Sequence, residues 1–389
     1  MKKALIVGGN SGIGLSISKN LLHTYDHIYI VGKDQVSVQA LPESIREEFL
    51  KKTTFYKLNF INENFSVFDQ IVDIDTLIIT AGFGRVALFE DLTEAEIKNL
   101  MNVDFNAIIR IVKKYYHKIK NEKPFYTAIM GSIAGHISSP YFSVYGAAKS
   151  GLCRFIENIN IELKASGVRN RILDVSPGAL KGTAFNGGEN DLSLVDDIAC
   201  KIIDKMLAQE TLFIPQYEEI YKDVLIRYQT DPGNFGDDSY RYKKENGRIS
   251  PTPQVVVGYL SGTFDLFHIG HLNLLRRAKE QCDYLIVGVH NSGAWKGKET
   301  FIPFEERCEI LKNIKFVDKV IESPIEDSDA WDMFHYHKLF VGSDYKGTAR
   351  FQRYEELFKD KVEIVYFPYT TGTSSTQLRN AITQKQENN

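Results

Sequence analysis

Short apolar runs alternate with stretches of helical period along almost the whole of this chain. Ala4–Val7, Ile28–Val31, Leu77–Thr80, Thr127–Met130 and Ile172–Val175 are each followed by helix-patterned sequence, up to about Pro215. The pattern restarts with Val255–Tyr259, Tyr284–Val289, Leu339–Val341 and Val362–Phe367. A strand that returns through a helix is followed by a parallel partner, so repeated strand–helix units predict parallel, doubly wound sheets of the α/β class. At 389 residues the chain is too long for one ordinary core. The reading is two domains, residues 1–230 and 254–389. The linker is placed at 231–253, where periodicity lapses and Gly, Asp, Lys and Pro gather.

A formal net charge of -3 with 25% charged residues has neither the basic excess of a nucleic-acid binder nor the composition of a disordered chain. No nucleic acid partner is expected. No run of about 18 apolar residues occurs, and Met1-Lys2-Lys3 leads straight into a strand. The expectation is a cytoplasmic enzyme without a membrane partner. Cys153, Cys200, Cys282 and Cys308 are scattered without metal-ligand spacing, so they read as reduced, mostly buried thiols, and no protein-held metal is expected.

The first domain opens with a glycine loop, Gly8-Gly9-Asn10-Ser11-Gly12-Ile13-Gly14, directly after a strand. Glycines there let the backbone approach a pyrophosphate, which the following helix N-terminus stabilises. Ser132 lies thirteen residues before Tyr145, and Lys149 four residues after it. Four residues is about one helical turn, so phenol and ammonium share a face and the cation can lower the tyrosine pKa. With Thr80-Ala81-Gly82 and Pro177-Gly178 also in order, residues 1 to about 215 resemble the short-chain dehydrogenase/reductase family. The resemblance implies a Rossmann-like fold in which Tyr145 gives a proton to a carbonyl oxygen, Ser132 hydrogen-bonds that oxygen and Lys149 orders the nicotinamide ribose. It also implies a cofactor cradle of Gly8, Asn10, Ser11, Gly12, Ile13, Gly14, Ala81, Gly82, Pro177 and Gly178. Two positions depart from the family: Val7 replaces a threonine, and Asp104 stands where an asparagine normally supports the proton relay. After the second strand comes Val31-Gly32-Lys33, with no carboxylate at its end, and Lys33 there suits a 2′-phosphate. NADPH is favoured over NADH.

The second domain carries Gly262-Thr263-Phe264-Asp265-Leu266-Phe267-His268-Ile269-Gly270-His271 between an apolar strand and a helix marked by Leu272, Leu274, Leu275 and Ala278. Helix N-terminal amides and two imidazoles at such a turn suit charge developing on an α-phosphate under attack, which reads as nucleotidyl transfer. Lys296-Gly297-Lys298, Pro303-Phe304-Glu305-Glu306-Arg307, Val341-Gly342-Ser343-Asp344 and Gly372-Thr373-Ser374-Ser375-Thr376 follow. With these motifs, Gln254 to Ile382 resembles the cytidylyltransferases of the glycerol-3-phosphate type, which implies the HxGH nucleotidyltransferase fold. The implied nucleotide site comprises Gly262, Thr263, Phe264, His268, His271, Lys296, Lys298, Arg307, Asp344, Ser374, Ser375 and Thr376, with Mg²⁺ bridging the triphosphate. Arg307 is expected to bind the acceptor phosphate or to order the lysine loop. Tyr369 and Thr371 stand where the glycerol-phosphate enzymes carry an arginine and a glutamate, and the Ser-Ser-Thr ending also resembles adenylyltransferases. CTP is favoured, with ATP the alternative.

A carbonyl reductase and a cytidylyltransferase on one chain suggest consecutive steps on one metabolite that carries both a ketone and a phosphate. The expected partners are CTP and a ketose phosphate, and the product a CDP-alditol for capsule or teichoic-acid-like polymers. Fructose 6-phosphate, giving CDP-glucitol or CDP-mannitol, is favoured narrowly over ribulose 5-phosphate, giving CDP-ribitol. The order of the two steps is open, and so is a first domain that senses NADPH without reducing anything. Both families commonly pair, so a homo-oligomer is expected.

Overall fold

The alternation of apolar runs and helices becomes two parallel sheets in the computed structural model, which describes residues 2–62, 65–183, 185, 190–249, 255–292, 300–368 and 377–379. The chain forms two units, Met1–Pro253 and Gln254–Asn389. In the first, the order is β1 (Lys3–Val7), α1 (Gly12–Leu21), β2 (His27–Gly32), α2 (Glu43–Lys52), β3 (Thr53–Lys57), β4 (Thr76–Ile79), α3 (Glu94–Met101), α4 (Ala107–Ile119), β5 (Tyr126–Met130), α5 (Ser143–Ala165), β6 (Ile172–Val175), α6 (Asp196–Leu207), β7 (Leu212–Phe213), α7 (Lys222–Thr230) and α8 (Pro232–Glu245). Among the described residues its sheet runs β3-β2-β1-β4-β5-β6-β7, all parallel, with the order reversing between β1 and β4.

Successive strand side chains point to opposite faces, which splits the core in two. Ala4 and Ile6 pack with Ile17, Leu21, Ile202 and Met206 beneath α1 and α6. Leu5 and Val7 pack with Ile108, Ile111, Val112, Leu152 and Ile156 beneath α4 and α5. On α4 the buried residues recur at the three- and four-residue spacing of a helix that covers a sheet on one side.

The second unit contains β8 (Val257–Gly262), α9 (Ile269–Lys279), β9 (Tyr284–Val289), α10 (Phe304–Lys312), β10 (Lys319–Glu322), α11 (Asp327–Phe334), β11 (Lys338–Gly342), α12 (Ala349–Leu357) and β12 (Glu363–Phe367). Its parallel sheet runs β10-β9-β8-β11-β12 and reverses between β8 and β11. Leu260, Leu285 and Val287 pack with Leu275 of α9 and Leu311 of α10. Tyr259 stacks at 5.0 Å on Tyr336, which meets Phe358 at 6.0 Å.

Three strands are absent from the sequence reading: β3, β7 and β10. β3 and β7 close the two edges of the first sheet, and β10 one edge of the second. Half-covered edge strands need no continuous apolar run, and β3 and β10 have none of their residues fully buried. The span read as a linker, 231–253, carries α8. Asp231 caps this helix by accepting from the Asn234 N–H at 3.0 Å, and Pro232 suits its first turn. Its glycines weaken the helical signal, but tertiary contacts hold it. Tyr240 stacks on Tyr141 at 4.8 Å, and Lys243 Nζ donates to Ser139 Oγ and the Pro140 carbonyl, each at 2.7 Å. Among the described residues no helix is long and apolar enough to cross a membrane.

Arg85 and Glu96 form a buried ion pair at 2.9 Å, and Glu96 also closes the capping box of α3 with Thr93. Removing one partner strands a buried charge. Glu96→Ala should therefore lower the stability of the first unit by about 3–5 kcal/mol in urea unfolding, whereas Glu47→Ala, on the exposed side of α2, should stay within about 0.5 kcal/mol.

Candidate active sites

In a parallel sheet the loops at the strands' carboxyl ends all open on one edge, and the order reversal leaves a crevice there. In the first unit that edge collects the glycine loop after β1, Lys33 after β2, Ala81 and Gly82 after β4, Ser132 after β5 and Pro177-Gly178 after β6. Gly8 has φ +88°, the left-handed region, and a Cβ there would lie 2.5 Å from the Ala81 nitrogen. A Cβ on Gly14 would lie 2.2 Å from the Gly8 carbonyl oxygen and 2.5 Å from Thr80 Oγ1. The turn is thus closed tightly enough that only glycines admit it. Ser11 stands at the N-cap of α1, whose first turn holds Gly12, buried Ile13 and Gly14 with no acidic residue, so its amide end favours an anion. The Asn10 carbonyl accepts from the Ser37 N–H at 2.9 Å, and Lys33 is exposed beside this turn.

Ser132, Tyr145 and Lys149 come together. Ser132 Oγ accepts from the Ala134 N–H at 3.2 Å, and its hydroxyl draws the Tyr145 pKa downward. Tyr145 and Lys149 project from one face of α5, with the ammonium 5.6 Å from the phenol ring centroid. Lys149 Nζ donates to the Met130 carbonyl at 3.0 Å and pairs with Asp104 Oδ1 at 3.1 Å. Asp104 sits in a π-helical turn, Asn102–Asn106, between α3 and α4, an irregularity frequent at functional sites. Burial raises the Asp104 pKa, with Lys149 opposing. Burial alone would lower Lys149, but Asp104 and Tyr145 outweigh it and hold the ammonium above its usual value. Tyr145 lies above the usual phenol range through burial; Lys149 and the Ser132 hydroxyl pull it down, and Asp104 pushes it up. The site presents a protonated phenol and a hydroxyl to one small volume. The Pro177 carbonyl accepts from the Ile133 N–H at 2.9 Å and so ties the β6 loop to the Ser132 turn.

In the second unit the end of β8, the loop after it and the first turn of α9 hold Gly262, Thr263, Phe264, His268 and His271. His268 is the N-cap of α9: its Nδ1 accepts from the Gly270 N–H at 3.0 Å, which leaves Nε2 to carry the proton of the neutral ring. The two imidazoles stack with centroids 4.0 Å apart. Burial lowers the His268 pKa. It pushes His271 down to about 3, His268 adding to the effect and Asp265 opposing it. Asp265, flanked by Phe264 at φ 53° and Leu266 at φ 50°, accepts from the Phe301 N–H at 3.2 Å and the Ile302 N–H at 3.0 Å, and it pairs with Arg379 at 2.5 Å.

Two of the expected site residues, Arg307 and Phe264, have well-defined surroundings. Arg307 is 1% exposed. Its guanidinium donates to the carbonyls of Ile302 at 2.9 Å, Thr263 at 2.6 Å, His290 at 2.8 Å and Asn291 at 2.7 Å. Four of its five N–H donors are thus spent on backbone carbonyls, two of them at Asn291 and Ile302 on either side of the lysine segment in sequence, which fits the loop-ordering role of the two expected for it. The Phe264 ring is 4% exposed within the core, 5.3 Å from the His271 ring, so only its backbone faces the loop. Asp344 is exposed just beyond the end of β11. Lys296, Lys298, Tyr369, Thr371, Ser374, Ser375 and Thr376 lie outside the described residues. Sequence reasoning gave no role to Asp265, although it lies inside the motif, nor to Arg379, which nothing near it marks.

The short chain dehydrogenase family model matches residues 2–192, and the cytidylyltransferase-like family model matches residues 259–381. The chain is 38% identical over 125 residues to glycerol-3-phosphate cytidylyltransferase of Bacillus subtilis, covering 31% of this chain and 92% of that protein. It is 24% identical over 233 residues to carbonyl reductase family member 4 of Xenopus tropicalis, covering 58% of this chain and 95% of the relative. Among solved structures, a short-chain dehydrogenase from Streptomyces avermitilis aligns over 64% of this chain and 99% of its own at 19% identity, with a TM-score of 0.49. Motifs, sheets and relatives agree that the chain joins two enzyme families, a short-chain dehydrogenase domain followed by a cytidylyltransferase domain that belongs with the glycerol-3-phosphate cytidylyltransferases.

Proposed function

We propose that the chain makes a CDP-alditol from CTP and a ketose phosphate, through cytidylyl transfer to the phosphate and NADPH-dependent reduction of the ketone. The observation that carries this reading is that one polypeptide brings together Ser132, Tyr145 and Lys149 in its first unit and His268 and His271 in its second. A domain that only sensed a cofactor would have no use for a protonated phenol with Lys149 and Ser132 acting on it.

The residues present fit NADPH. Gly8 and Gly14 would let the pyrophosphate approach, the amide end of α1 would stabilise its charge, and exposed Lys33 after β2 would suit the 2′-phosphate. When bound, NADPH supplies the hydride to the carbonyl carbon. Tyr145 gives its phenolic proton to the carbonyl oxygen as negative charge grows there, and Ser132 Oγ holds that oxygen in place. Lys149 stabilises the phenolate left behind, and Asp104 keeps the ammonium charged in a site that would otherwise strip its proton.

For the transfer, an oxygen of the sugar phosphate attacks the α-phosphorus of CTP while the bond to the β-phosphate breaks and pyrophosphate leaves. Mg²⁺ enters with CTP as part of the substrate. His268, its tautomer fixed by the Gly270 N–H, carries its proton on Nε2 and would donate from there. His271, held neutral by burial, donates as an uncharged imidazole. Fructose 6-phosphate is the favoured acceptor, because Tyr369 and Thr371 replace an arginine–glutamate pair of the glycerol-phosphate enzymes. The product would be the activated alditol of a capsule or teichoic-acid-like polymer.

Phosphorus NMR with Mg-CTP and either fructose 6-phosphate or ribulose 5-phosphate, with and without NADPH, should give a new diphosphate ester for one sugar and NADPH consumption for the same sugar. Silence with both sugars would refute the ketose phosphate acceptor. Running ATP beside CTP separates the two nucleotides.

Tyr145→Phe should lower NADPH oxidation by at least about 10²-fold and leave pyrophosphate release unchanged. His268→Ala should do the reverse, by about 10²–10³-fold. Loss of both activities in either variant would sink the assignment of two separable sites.

The His271 pKa lies near 3 in the fold against an ordinary 6.5. Between those values the unfolded chain binds more protons, so this group's contribution to stability is present above about pH 6.5 and is lost as pH falls toward 3. His271→Gln should therefore make the second unit lose less stability than wild type between about pH 7 and pH 4.5. Equal losses in urea unfolding would show that His271 titrates normally.

A further inference from the structure

Three side chains from three separate elements converge behind the turn that carries Ser132. Cys153 stands on α5 four residues after Lys149 and eight after Tyr145, so the three share a helix face. His136 follows the Ser132 turn, and Asp174 lies on β6. A ring nitrogen of His136, Cys153 Sγ and a carboxylate oxygen of Asp174 all lie within 4.8 Å of one another. Among the described residues no other trio of histidine, cysteine and carboxylate atoms gathers this way. Neither reaction described above uses any of them.

The neighbourhood is built for polar atoms. Ser176 Oγ, fully buried, lies 3.0 Å from His136 Nε2, 3.7 Å from Cys153 Sγ and 2.7 Å from Asp174 Oδ1. His136 Nε2 lies 3.8 Å from Asp174 Oδ2. Gly131 leaves the room: a Cβ there would fall 2.3 Å from Asp174 Oδ1 and 2.6 Å from Ser176 Oγ. Cys153 and Asp174 are buried, while the His136 side chain is 24% exposed. His136 also lines a cavity of about 290 Å³ with Ser138, Phe142, Ser150 and Tyr228, which provides a route from solvent.

A tetrahedral Zn²⁺ with bonds of about 2.0–2.3 Å sets its ligand atoms roughly 3.3–3.7 Å apart. The trio needs only side-chain adjustments of about an ångström to reach that spacing. One thiolate, one imidazole and one carboxylate suit Zn²⁺, whereas Mg²⁺ and Ca²⁺ take oxygen ligands. We propose that His136, Cys153 and Asp174 bind one Zn²⁺, with Ser176 Oγ or a water from the cavity at the fourth position. Binding forms the Zn–S bond and releases the thiol proton to solvent. The ion acts as a clamp: it joins the end of the Ser132 turn to α5 and β6, beside the hydrogen bond from the Ile133 N–H to the Pro177 carbonyl.

Cobalt tests this without reference to either activity. The full chain, stripped by a chelator, is titrated with Co²⁺ alone. The expected result is one equivalent bound, with a thiolate-to-cobalt charge-transfer band in the near ultraviolet and strong visible bands of a four-coordinate site, all displaced by Zn²⁺. Cys153→Ser should abolish the charge-transfer band. His136→Ala should weaken binding at least about tenfold; since His136 is partly exposed, this variant carries the test if Cys153→Ser does not fold. Cys200→Ser, at an exposed thiol on α6, should change nothing. Absence of the band in wild type, or a band that survives both the Cys153 and His136 variants, would overturn the site.

Discussion

Parallel pairing forces every strand of both units to end on the same edge as its neighbours, and everything chemical in this protein follows from that geometry. Each connection must cross back over a face of the sheet, so helices cover both faces and leave the carboxyl edge as the place where loops are free to differ. The glycine loop, the Ser132 turn and the Pro177 loop are far apart in sequence, yet they meet because β1, β4, β5 and β6 lie side by side. The second unit repeats the arrangement on a smaller scale, with the histidine motif at the end of its central strand, β8, where the strand order reverses.

Within that frame the two units solve opposite electrostatic problems. Lys149 is almost fully buried and must remain charged, so a carboxylate and a backbone carbonyl surround it. Asp104 does this in place of the amide usual at that position, and its charge reaches Tyr145 as well, opposing the pull of the ammonium on the phenol. His271 is half-buried, and the opposing pull of Asp265 is outweighed by desolvation and by His268, so it is held neutral. A charged imidazole would attract the triphosphate strongly before any reaction began, whereas a neutral N–H bonds best once extra negative charge has formed. That difference favours the transition state over the bound substrate.

The fold class, the gathering of Ser132, Tyr145 and Lys149, and the pairing of His268 with His271 could be read from residue order, for reasons that the structure makes concrete. Central strands such as β1 and β9 are buried on both faces and show as unbroken apolar runs; β3 and β10, at edges, are half-covered and mixed in composition. Tyr145 and Lys149 were legible because a helix fixes what four residues of spacing means. Arg307 was legible with two alternative roles, since no sequence pattern says whether a guanidinium meets a ligand or four backbone carbonyls. The helix α8 was hidden because its stability comes from Tyr141, Ser139 and Pro140, about a hundred residues earlier. The gathering of His136, Cys153 and Asp174 was hidden for the same reason: spacing rules read ligands on one element, and these sit on three.

Phe264 and Leu266 both hold left-handed backbone conformations that bulky side chains disfavour, at a cost of roughly 1–3 kcal/mol each. The four carbonyl bonds of Arg307 and the amide bonds to Asp265 compensate that cost when the chain folds. Under the proposed reading, a nucleotide would meet this turn already ordered, with little of its conformational entropy left to lose on association. Affinity in such a site is governed by departure more than by arrival. Loosening the loop would shorten the lifetime of the bound triphosphate and leave its rate of capture nearly unchanged.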